Sequence, residues 1–248
     1  MITVHSRAVV IVPVLVALVA AGVTAQSADA EDAAAEDAAA EEETKTIEEL
    51  YLESQASIAA VSSMVESYDR QSQAMGVRLL VRHAENGTID TSSDEYVAIA
   101  AYALRGGVGR VANNRSRLPD SYHPIVRVDA ARALGRSSNP EAQTVLITAL
   151  REDPEPSVVG ATMLALARRG QDEDGFVSYE IATSLQRELA VRQDGGMIYA
   201  GLQALEDIVK EVGHEDFHPE VRATVVEIAT SGLNRAIREK AISVLNQM

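Results

Sequence analysis

From Thr46 onward the apolar residues recur at helical spacing. Ile47, Leu50, Tyr51, Ile58, Val61, Val65 and Tyr68 fall on one stripe, and Thr46 with Glu49 forms a capping box at its start. A second helix is predicted from Arg70 to about Arg82, burying Met75, Val77, Leu79, Leu80 and Val81, with "ENGT" at 85–88 as its stop. Ser92 and Glu95 read as a capping box opening "EYVAIAAYALRGG", which ends at Gly106 and Gly107. Further helices are predicted over Pro124–Leu134, ended by Gly135, and from Pro140 to about Asp153. Asn139 caps the latter, and Pro140 sits at its first position, where a missing N–H costs nothing. "DPEPSVV" repeats that grammar with Asp153 and Pro154. Two longer helices, Val177–Arg192 and Met197–Val212, are split by Gly195-Gly196. The last pair, Pro219–Thr230 and Arg235–Gln247, is split by Ser231-Gly232. No segment alternates apolar and polar residues as a strand would. The chain is therefore expected to be all-α over 46–248.

The helices repeat. Val126 laid on Val158, a shift of 32, brings Ala133 onto Ala165 and Leu134 onto Leu166. Tyr96 laid on Val126 brings Ala100, Ala101, Ala103 and Leu104 onto Ala130, Ala131, Ala133 and Leu134. "PEVRATVVEIAT" at 219–230 and "IREKAISVL" at 237–245 return to the same pattern. A helix pair that cannot bury both faces alone must stack on copies of itself, so self-similarity at this period predicts a solenoid. Alanine at the contacts lets neighbouring helices approach closely.

Composition changes the picture at the N-terminus. "MITVHSR" carries Arg7, Ala8 to Val23 is uncharged and apolar, and Val23 and Ala25 place small residues at a cleavage site. Residues 1–25 are expected to be a signal peptide rather than an anchor, because 16 apolar residues with Pro13 among them fall short of the ~20 a spanning helix needs. The protein is then periplasmic or secreted, with no stable membrane insertion after cleavage. Residues 26–45 hold eight acidic residues from Asp29 to Glu43 and no apolar face, which predicts a disordered acidic linker. The chain carries 37 acids, 22 Lys and Arg, and no Cys. Disulfides and thiolate chemistry are excluded, and so acidic a chain is a poor match to a nucleic acid backbone.

"P-x-V-R-x-x-A-A-x-A-L-G" at 124–135, followed by "N-P-E-A-x-x-x-L-x-x-A-L" at 139–150, resembles the HEAT repeats, in the short form of the phycobilisome lyases. The resemblance is strong over 120–170, fair at 92–106 and 218–247, and rests on helix pairing elsewhere. It implies a right-handed α-solenoid of antiparallel helix pairs, with the second helices lining a concave face that binds another protein. Two departures stand out: Val159 replaces the repeat arginine found at Arg127, Arg222 and Arg238, and "GVGRVANNRSRLPDSYH" writes the expected partner helix poorly.

Arg105 to Arg136 is a basic island whose centre is irregular. Loops on rigid scaffolds often carry function, and arginine suits bidentate recognition of carboxylates. Arg110, Arg115 and Arg117 are thus the candidates to meet acidic groups of a protein partner, with Asn113 and Asn114 bonding its backbone. The repeat arginines are expected to pair with carboxylates between repeats. No nucleophile elbow, phosphate-binding loop or zinc motif is present, and no catalytic residue or cofactor is assigned. The alternative to a scaffold is a HEAT-like hydroxylase or lyase, or a cell-envelope spacer. Related hydroxylases hold two irons with several His-Glu pairs, but His214-Glu215 is a single pair, and Asp216 is expected to cap the next helix instead.

Overall fold

In the computed structural model the described residues are 58–106, 123–172, 174–212 and 218–248. The signal peptide, the acidic linker and the Thr46 capping box lie outside them. Residues 58–65 are helical and bury Ile58, Val61 and Val65. Nine complete helices follow among the described residues: α1 (Arg70–Asn86), α2 (Asp94–Arg105), α3 (Pro124–Leu134), α4 (Pro140–Glu152), α5 (Pro156–Arg168), α6 (Phe176–Val191), α7 (Gly195–Val212), α8 (Pro219–Thr230) and α9 (Arg235–Leu245). Strands are absent from the described residues.

Each helix packs on the helix two places away and, except between α7 and α8, on its chain neighbours, giving two layers. The first layer is α1, α3, α5, α7 and α9, and the second is α2, α4, α6 and α8. This is an α-solenoid: each copy of the helix is the wall for the next. One continuous core runs between the layers, through Leu80, Leu104, Leu134, Leu146, Leu166, Leu185, Leu205 and Val244.

Local chemistry explains most helix ends. Asn139 accepts a hydrogen bond from the N–H of Glu141 at 2.9 Å and Pro140 begins α4, as expected. Gly87 ends α1 with φ +66°, the left-handed conformation that glycine adopts without strain. The N-cap of α2 is Ser93 rather than Ser92: its hydroxyl accepts from the N–H of Tyr96, while Ser92 turns back to donate to Asp90. "DPEPSVV" is read two residues later than expected. Pro156, not Pro154, begins α5, and Asp153 ends α4. Gly195 and Gly196 do not separate two helices but form the first turn of α7, where Asp194 accepts from the N–H of Met197 at 2.8 Å.

The self-alignment finds the helices but misplaces two of them. α2 packs against α4 and α8 packs against α6, so both belong to the second layer rather than to that of α3. Alanine-rich contacts occur in both layers, and the pattern of small residues therefore does not say which layer a helix joins. Tyr68 also leaves the predicted stripe: the helix has ended, and the ring is fully exposed. Met75 faces solvent, and Val77 and Leu80 bury that face of α1 in its place.

Candidate functional site

The first layer carries a groove of about 860 Å³ that crosses α1, α3, α5 and α7. The depression lies over the helices of the "PIVRVDAARALG" kind, in the first layer. Small residues let it form. A Cβ on Gly160 of α5 would stand 3.2 Å from the Cβ of Ala200 on α7. A Cβ on Gly135, just past α3, would stand 2.8 Å from the Cα of Ala165 on α5. Neighbouring helices thus meet almost backbone to backbone, and the space above them stays open.

Apolar groups make the floor: Val81, Val128, Ala161, Leu164, Met197 and Ala200. Leu164 is 39% exposed, although α5 has polar positions available for solvent. The rims are charged and sorted by helix end. Glu155 and Asp194 stand where α5 and α7 begin, while Arg132, Arg136 and Arg168 stand where α3 and α5 end; Glu85, at the end of α1, is the exception and pairs with Arg136. This sorting complements the partial charges of helix termini. Arg132 binds Asp129 at 3.0 Å, Arg78 approaches the same carboxylate at 3.8 Å, and Arg136 bonds Glu85 across to α1. The guanidinium groups of Arg78 and Arg132 remain largely in solvent.

Of the repeat arginines, Arg127 pairs with a carboxylate between repeats, as expected. Arg127 is 1% exposed and gives a two-pronged bond to Asp153, with Nε at 2.8 Å and an Nη at 3.1 Å. Asp153 also accepts from the N–H of Glu155 at 2.9 Å, so one buried carboxylate joins α3 to the turn between α4 and α5. At the matching place in α5, Val159 is buried as an apolar residue and needs no partner. Arg222 sits on a second-layer helix, where it bonds the backbone oxygen of Met248, and Arg238 on α9 is exposed. Inter-repeat work falls also to arginines outside the motif. Arg169 donates to the carbonyls of Ser137 and Asn139, and its burial lowers its pKa. Arg187 donates to the carbonyls of Leu150 and Arg151, and Arg192 to that of Pro154. The Leu150 and Arg151 oxygens lie in the last turn of α4, where the final carbonyls lack helical partners, and the Asn139 oxygen belongs to the N-cap of α4.

A second electrostatic joint links α7 to α9. Glu206 accepts from Lys210 at 2.8 Å, Lys240 at 2.9 Å and Gln247 at 3.0 Å. Lys210 first, then Lys240, hold its carboxyl far below the usual range, at about 2. Asp172 shows the opposite balance. Its burial raises its pKa against the bonds it accepts from the N–H groups of Val177 and Ser178 at the start of α6.

Arg110, Asn113, Asn114, Arg115 and Arg117 lie outside the described residues, as do His214, Glu215 and Asp216. His218 is the N-cap of α8, its Nδ1 3.4 Å from the N–H of Glu220, and its ring meets that of Tyr179 edge-on at 5.1 Å. Among the described residues no three His, Cys, Asp or Glu side chains gather as metal ligands, and no helix is long and apolar enough to cross a membrane. The basic island also divides in space: Arg127 is interior, whereas Arg132 and Arg136 reach the groove. Sequence reasoning did not find the groove residues. Leu164, which stands at the register of Arg132 under the shift of 32, was the available signal.

No curated protein matches this chain. The family model of HEAT repeats matches residues 111–206, the stretch that holds α3 to α6 and much of α7. With that match on helices stacked in two layers, residues 111–206 are HEAT repeats within an α-solenoid, a helical scaffold of a kind commonly used for protein interaction.

Proposed function

We propose that this chain is an exported, non-catalytic scaffold that binds another protein through the groove across α1, α3, α5 and α7. The observation that carries the reading is the groove itself: a half-exposed leucine on an apolar floor, bordered by charges of both signs. An apolar centre within a charged border is the anatomy of a protein interface. The 105–120 segment precedes α3 in the chain and would add Arg110, Asn113, Asn114, Arg115 and Arg117 to the contact. Export rests on residues 1–25, whose apolar run and small residues suit a cleaved signal, and it predicts a mature protein that starts at Gln26 by intact mass.

The test places a photo-crosslinking amino acid at Leu164 in the groove and, as control, at Thr148, which is exposed on α4 of the second layer. Irradiation of cells producing the protein should trap a defined protein adduct at 164 and none at 148. Adducts at 148 alone, or at neither position, overturn the reading.

A further inference from the structure

We infer that the groove takes an amphipathic α-helix of a partner protein, with acidic residues on the flank toward Arg132 and Arg168 and basic residues on the flank toward Glu155 and Asp194. The inference rests on the reading of the groove as protein-binding and specifies what binds there.

Three observations carry it. The first is a floor without hydrogen-bonding side chains for a peptide backbone, the charged groups of the lining standing around it. Among the described residues that line the groove there is no Asn or Gln, and the floor is Val81, Val128, Ala161, Leu164, Met197 and Ala200. The backbone of the floor is committed to its own helices. An extended peptide laid there would bury amides without partners, which is costly. A helix satisfies its backbone internally and offers the floor only side chains.

The second is size. Neighbouring helix axes lie about 9 Å apart, so four helices span roughly 27 Å, the length of about 18 residues at the helical rise. An apolar stripe of that length matches a floor that runs from Val81 on α1 to Ala200 on α7. The floor is built from short side chains around the one projecting leucine, and such a surface admits a helix that brings its own larger apolar residues.

The third is charge. Arg132 and Arg168 are exposed at the rim where α3 and α5 end, and Glu155 and Asp194 stand on the opposite rim. The two rims oppose across the floor, so a ligand of uniform charge meets repulsion on one side. A helix with acids on one flank and bases on the other meets attraction on both, and in one orientation only.

The experiment is selection on the immobilised full-length chain from a displayed library of fully varied peptides, each about 18 residues long by the same helical rise. Enriched sequences should show the helical apolar period, with acids on one flank and Lys or Arg on the other. Their enrichment should fall about tenfold on Leu164→Asp, a change at a half-exposed site at the centre of the floor. On the double variant Arg132→Glu, Arg168→Glu the acidic flank should be replaced by Lys and Arg in a fresh selection. A proline at the centre of the best peptide should weaken its binding to the wild-type chain by about tenfold or more, measured by fluorescence anisotropy. Circular dichroism melting of each variant confirms that it is folded. Peptides that depend on Leu164 but lack the helical period, tolerate the central proline, or show no charge reversal on the double variant would overturn the helix inference and leave the protein-binding reading standing. If no enriched peptide depends on Leu164, both fall.

Discussion

Arg127 shows how one residue serves the stack. Its guanidinium is held inside the protein by Asp153, and that carboxylate in turn orders the turn into α5. A buried pair of this kind contributes little relative to an apolar substitute, but removing one partner strands the other charge. Arg127→Ala should therefore lower the unfolding free energy by about 3–5 kcal/mol, read from urea denaturation. Arg238, the same motif position on α9, is exposed, and Arg238→Ala should change stability by no more than about 0.5 kcal/mol. A motif arginine is structural only where a carboxylate is built to meet it. Glu206 makes a prediction in pH. Its folded-state pKa is depressed to about 2. It thus contributes stability that is complete above the unfolded carboxyl value of about 4.3 and is lost as pH falls through the folded value. Glu206→Gln should flatten the stability profile between about pH 4.3 and pH 2. An unchanged acid limb in the variant would mean that other carboxylates dominate there.

Helices in this stack are placed by the small residues between them. Gly135 has φ −64°, which suits any residue, so its reason is the contact and not the backbone conformation. An added methyl meets the Cα and carbonyl oxygen of Ala165, which belong to α5 and cannot turn aside. Gly201 looks as crowded, with the Leu185 Cδ2 2.6 Å and the Met163 Sδ 2.9 Å from an added Cβ, but those atoms end flexible side chains. Gly135→Ala should cost about 1–3 kcal/mol by pushing α5 away from α3, and Gly201→Ala clearly less. Thermal melts of the two variants side by side decide the ranking. The same contacts set the groove. Displacing α5 also moves Leu164 and Arg168, so Gly135→Ala should impair capture at the groove more than its stability loss alone accounts for.

Across the whole molecule, stability is a sum of neighbour contacts, because each layer touches only adjacent helices. Opening should therefore begin locally and spread. α9 is held by Ile237, Ala241 and Val244 in the core and by Lys240 on Glu206. Ile237 also packs beside Gly195 at the start of α7. Ile237→Ala should remove about 2–5 kcal/mol from this end. Native-state hydrogen exchange should then show faster exchange in α8 and α9, with protection in α3 to α6 retained. A uniform rise across all helices would instead mark the stack as a single cooperative unit.

The helices, their caps at Asn139 and Pro140, the end of α1 before Gly87 and the stacking itself were legible in the sequence, because they depend on local backbone chemistry and on the spacing of apolar residues. A fair part of the layering was not. "PEVRATVVEIAT" reads like "PIVRVDAARALG", yet α8 packs with α6, since both layers use the same small residues. The groove was not legible either. Val128, Leu164 and Met197 are unremarkable in their own helices, and their joint surface exists only when α1, α3, α5 and α7 lie side by side. The fate of each arginine was likewise settled by what stands opposite it: Arg127 meets Asp153, while Arg169 and Arg187 meet backbone carbonyls of the preceding unit. Periodicity along a chain specifies which face a residue shares, and packing across the stack specifies what that face meets.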